Sequence, residues 1–190
     1  MTSNISGIID THLHVIDMGK LSYPWLAGFE PLRRDYLVET YETEARRCGI
    51  TAALHMEVDV AESDVEAETG MVESLMARDG GLVIGAISSC RPENADFQIM
   101  LERTLQNKAV KGFRRVLHVM PDQLSTTALF RDNVKRLSKT SLPFDLCVLP
   151  HQIPLAIALA DHAPYVQFVL DHCGVPGIKD AYGVGRGKLY

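Results

Sequence analysis

Cysteine is sparse and scattered. The four thiols of this 190-residue chain, Cys48, Cys90, Cys147 and Cys173, include no Cys-x-x-Cys pair, so neither a zinc knuckle nor a disulfide framework is indicated. Runs of Lys or Arg are also missing, and a formal net charge of -5 with a pI near 5.8 gives no electrostatic footing for nucleic acid or an anionic membrane surface. No stretch approaches the roughly 18 unbroken apolar residues of a membrane span, and Met1-Thr2-Ser3-Asn4 lacks the basic-then-apolar order of a signal peptide. The expectation is a cytoplasmic protein that handles a small-molecule substrate, with no nucleic-acid and no membrane partner. A dinucleotide cradle is lacking as well. No Gly-x-Gly-x-x-Gly follows the first apolar strand, and Gly183-Val184-Gly185-Arg186-Gly187, with no strand before it, reads as a flexible tail.

What is present begins with a 46% hydrophobic, 23% charged composition, enough apolar residues for one sizeable core and one domain over residues 1–190. Ile8-Ile9-Asp10-Thr11-His12-Leu13-His14-Val15 reads as a strand. Period-two alternation then puts Asp10, His12 and His14 on one face, where two imidazoles can converge on one ion and Asp10 can orient one ring from behind.

A loop with Tyr23 and the single tryptophan, Trp25, leads to a helix over 35–47. Strands at 50–58, 82–88, 110–117, 144–149 and 166–171 then alternate with helices at 63–78, 95–107, 127–139 and 154–161. Six strand-helix units in series mean a parallel sheet, and without the dinucleotide fingerprint a (β/α)8 TIM-barrel type is favoured over an open doubly wound sheet. Active sites of such barrels lie at the C-terminal strand ends. There this sequence places His12 and His14, then His55, Glu57 and Asp59, then Arg114, Arg115 and His118, then His151, and finally Asp171 and His172.

Three stretches carry a family resemblance: Ile9-Asp10-Thr11-His12-Leu13-His14, Lys111-Gly112-Phe113-Arg114-Arg115-Val116-Leu117, and Phe168-Val169-Leu170-Asp171-His172-Cys173-Gly174-Val175-Pro176. Together they resemble the amidohydrolase superfamily, in particular its sugar-lactonase-like branch. The resemblance implies that His12, His14 and His172 bind a divalent metal, zinc in members that use one, while some lactonases of the branch work without metal. It implies that Glu57 helps hold the metal or the substrate, and that the forked guanidinium of Arg114 clamps a substrate carboxylate or hydroxyl-rich ring. His151, set in a loop by Pro150 and Pro154, is expected to touch substrate and, with His172 and Arg114, to make up the catalytic set. His118 is a further expected substrate contact. Trp25 either covers the pocket or anchors its loop.

The implied chemistry is hydrolysis of a sugar-acid or pyrone-type lactone or a related cyclic carbonyl compound. Two alternatives stand beside it: a catalytically incomplete remnant that binds a small acidic ligand, and a metal-dependent decarboxylase of the same superfamily. The sequence departs from the family after His172, where 18 residues remain against the roughly 250 of a complete barrel. Strands seven and eight are missing, and with them the strand-eight aspartate. That role is not passed to Asp171, which a regular strand would point away from His172. Strands one and six are left as edges, so a homo-oligomer that covers them is expected.

Overall fold

A computed structural model describes residues 7–177. The strands are β1 (Ile8–Leu13), β2 (Ile50–Met56), β3 (Val83–Ser89), β4 (Val110–Val116), β5 (Phe144–Cys147) and β6 (Phe168–Leu170). Between them lie α1 (Val38–Arg47), α2 (Val65–Met76), α3 (Phe97–Thr104), α4 (Ala128–Arg136) and α5 (Ile153–His162). The strand order in the sheet follows the chain from β1 to β6. A doubly wound sheet would reverse direction at a switch point; serial order is that of a (β/α)8 barrel, of which this chain supplies six units. The glycine-rich stretch 183–187 lies outside the described residues. Among the described residues no helix is long and apolar enough to cross a membrane.

Two compact units divide the chain. The first takes the described residues up to Arg91 together with Asp96–Arg114, and the second takes Pro92–Ala95 and the described residues from Arg115 on. In the first, β1 pairs with β2, β2 with β3 and β3 with β4, all parallel. Its core joins Leu13, Val15, Leu26, Ala53, Val72 and Ala86. Helix α1 enters it with Val38, Glu42 and Ala45, the i, i+4, i+7 stripe of an amphipathic helix. Gly85 on β3 is there because a side chain has no room: a Cβ would sit 2.5 Å from Lys111 Cγ and 2.9 Å from the Ala109 carbonyl oxygen. Gly85→Ala is therefore expected to lower stability by about 1–3 kcal/mol, seen as a lower urea midpoint; an unchanged midpoint would mean that β3 and the chain entering β4 part without cost.

In the second unit β5 pairs parallel with β6. Phe130, Phe144 and Leu159 are fully buried, with Phe144 edge-on to Phe130 and Phe168 at centroid distances of 6.4 and 6.1 Å. Helix α4 starts where the Thr127 hydroxyl accepts from the Phe130 N–H, an N-cap. Its Asn133 donates to the carbonyls of Pro92 and Asn94, which fastens the 92–95 segment to this unit.

The strands stop earlier than their sequence patterns, at Leu13 instead of Val15, Met56 instead of Val58 and Cys147 instead of Leu149. After β2 the reason is visible: the N–H groups of Val58 and Asp59 donate to the carboxylates of Glu68 and Glu57, and side-chain acceptors replace ladder partners. The sixth strand is only Phe168–Leu170, and His172, Cys173 and Val175 beyond it have φ of 50°, 54° and 50°. Regular alternation thus ends before Asp171, and the expectation that Asp171 points away from His172 loses its basis.

Candidate active site

The His-x-His pair opens the site in the first unit. Its rings meet edge to face with centroids 5.0 Å apart, so both imidazoles lie on one side of the chain even though His14 is one residue past the strand. His14 Nδ1 donates to the Met56 carbonyl at 3.0 Å. A carbonyl can only accept, so the neutral ring carries its proton on Nδ1 and leaves a lone pair on Nε2, the arrangement of a metal-binding histidine. Desolvation lowers the His14 pKa from 6.5 to about 4; the Met56 bond opposes this, and the charges of Arg114, His12 and His55 add to it. The residue still keeps a flank open to solvent, so the secure consequence is a neutral ring at neutral pH.

Asp10 does not stand behind a ring. Its carboxylate accepts the His12 backbone N–H at 3.0 Å and the Tyr41 hydroxyl at 2.8 Å. It thus fixes the strand's exit and joins it to α1, and the hydroxyl's own proton is held more tightly.

Glu57 and Arg114 face each other. Arg114 Nε donates to Glu57 Oε1 at 2.6 Å and Nη2 to the Glu57 carbonyl at 2.5 Å, and both side chains are almost fully buried. Arg115 alternates to the other face of β4, where Nε and Nη2 grip Glu93 Oε1 at 2.9 and 2.7 Å in the second unit. Trp25 packs against the first unit's core and donates its indole N–H to the Val58 carbonyl at 2.8 Å. Tyr23 is buried, and its hydroxyl accepts the Asp17 N–H. Both aromatics hold their loop in place.

The other expected site residues belong to the second unit. His118 is exposed, with Nδ1 3.1 Å from Cys147 Sγ. His151, in the Pro150–Gln152 turn, is exposed with Nε2 3.7 Å from Asp122 Oδ1, and Gln152 donates to the same oxygen at 2.8 Å. Asp171 is buried and His172 exposed.

A buried acid beside His55 escaped sequence reading. Glu68 on α2, 3% exposed, accepts from His55 Nε2 at 3.1 Å. On the helix read at 63–78, Glu68 shares a stripe with Met71, Val72 and Leu75, the spacing of inward-facing positions.

The chain is similar to several known proteins. An uncharacterized protein of Sinorhizobium fredii, y4mH, is 25% identical over 188 residues, covering 88% of this chain and 62% of its own. An amidohydrolase of Burkholderia multivorans with bound zinc superposes with a TM-score of 0.76 at 24% identity, over 92% of this chain and 60% of that one. A "probable 2-pyrone-4,6-dicarboxylic acid hydrolase" of Acinetobacter baumannii, with citric acid bound, gives 0.66 at 18% identity, over 90% and 62%. These structures share the fold, and the chain spans about 60% of the length of the proteins it matches. The amidohydrolase family pattern itself matches residues 9–187, and the chain belongs to that family.

Proposed function

We propose that this chain is the histidine-bearing part of a metal-assisted hydrolase that opens a lactone of sugar-acid or pyrone type, or a related cyclic carbonyl compound. The observation that carries the reading is His14: its Nδ1–H is committed to Met56, which leaves the lone pair on Nε2, and its ring lies edge to face with that of His12, centroids 5.0 Å apart. Neutral imidazoles suit zinc. We assign the ion to His12 and His14 of the first unit; when bound, it supplies a Lewis acid for the substrate carbonyl.

The chain's own groups then divide the remaining work. Arg114 offers a fixed fork of donors for a substrate carboxylate, held in orientation by Glu57. His118 and His151, both solvent-open, contact the substrate's polar groups, and His151 or His172 carries a proton to the leaving oxygen. Trp25 limits the pocket from the loop side. The zinc-bound Burkholderia relative and the pyrone-dicarboxylate name of the Acinetobacter one favour this chemistry. A copy of the chain covers the exposed Ile8 and Ile9 of β1 and Val169 and Leu170 of β6; a monodisperse monomer in light scattering would contradict that pairing.

The test is a panel of aldonolactones and pyrone lactones incubated with the zinc-loaded chain, with product analysis that includes carbon dioxide. Ring opening without gas supports the reading. Carbon dioxide release would move the chemistry to decarboxylation, and ligand binding without turnover would make the chain a binding remnant.

A further inference from the structure

The chemistry above leaves one buried ionisable pair unused. His55 and Glu68 are 1% and 3% exposed, and a hydrogen-bonded polar pair so placed contributes little net stability, since apolar residues of the same volume commonly do as well or better. Its hydrogen bonds, however, all lead to the strand ends that carry the site. Glu68 Oε1 accepts from His55 Nε2 at 3.1 Å and from the Val58 N–H at 2.8 Å. Because a carboxylate accepts, the His55 proton is on Nε2, and Nδ1 is free to accept the Val15 N–H at 3.4 Å. One carboxylate oxygen on α2 therefore holds the residue after Glu57 directly and the residue after His14 through an imidazole. The Met56 carbonyl that receives His14 Nδ1–H lies between His55 and Val58. The bridge thus ties the residues that follow β1 and β2 to helix α2.

We propose that Glu68, acting through His55, is a positioning residue that aims His14 Nε2 at the metal; the proposal rests on the reading of His14 as a ligand. The outer partners of metal-binding histidines set both ring orientation and tautomer, and removing one typically weakens metal binding about ten- to a hundredfold. Here the partner chain is one step longer, running from carboxylate to imidazole to backbone.

The experiment uses the full chain in three forms: wild type, Glu68→Gln, and a double variant, His55→Phe with Glu68→Leu, that removes the bridge while filling the space. Zinc affinity is measured by competition with a chelator, and the His14 tautomer by imidazole 15N shifts without metal. The double variant is expected to bind zinc about ten- to a hundredfold more weakly, with the Nδ1–H form of His14 giving way to a mixture, while Glu68→Gln, whose amide oxygen still accepts both bonds, stays close to wild type. Circular dichroism unchanged in the double variant separates this from unfolding. Wild-type affinity together with an unchanged tautomer in the double variant would overturn the proposal. Should the wild type bind no zinc, the metal reading falls by itself, and the tautomer comparison alone decides the positioning role: a mixture supports it and an unchanged Nδ1–H form refutes it.

Discussion

Glu57→Ala is expected to lower the stability of the chain by about 3–5 kcal/mol, because it takes the carboxylate from a guanidinium that is only 4% exposed. The pair includes a directed bond to the carboxylate and another to the Glu57 carbonyl, and the substitution removes the carboxylate. Set against the roughly 5–15 kcal/mol that holds a domain together, this is a large share. For a chain of this size it should appear as a fall in Tm of roughly 6–20 °C. Replacing both partners, Glu57→Leu with Arg114→Met, should recover much of the loss, since the desolvation penalty then disappears along with the attraction. A Glu57→Ala Tm within a degree or so of wild type would mean that the lost bond to Arg114 is replaced without cost.

Zinc should stabilise the wild-type chain and leave a His12→Ala, His14→Ala double variant unmoved. A ligand that binds only the folded state adds RT ln(1 + [L]/Kd), about 2.7 kcal/mol at a hundred times Kd, which corresponds to a rise in Tm of about 5–10 °C for this length. The rings that would be lost are the edge-to-face pair 5.0 Å apart, and neither carries the core: His12 is half-buried and His14 exposed. The apo variant should therefore melt near the apo wild type. An equal zinc-induced rise in both would place the binding elsewhere on the chain.

Strands such as β2 and β3 were legible because each is a short, largely apolar run that follows glycine, Gly49 before β2 and Gly80-Gly81 before β3. Their ends were not. Whether a strand continues past Met56 depends on Glu68, twelve residues further on, whose carboxylate takes the Val58 N–H, and no period in the local sequence records that. The two histidines were legible as a pair, since their spacing alone puts them on one side. The state of His14 was not, because its proton is placed by a carbonyl from another strand. Asp10 shows the opposite failure. Proximity in sequence suggested a ring partner, whereas the nearest donors in space are the His12 backbone and Tyr41. Arg114 and Arg115 look alike in the sequence and differ wholly in the fold, one gripping Glu57 and the other Glu93, because adjacent strand residues face opposite ways.

The most direct test of the metal reading is elemental analysis of the purified chain beside the His12→Ala, His14→Ala variant. About one zinc or other divalent ion per chain in the wild type, lost in the variant, is the expected result. A zinc-supplemented wild type with no more metal than the variant would contradict it.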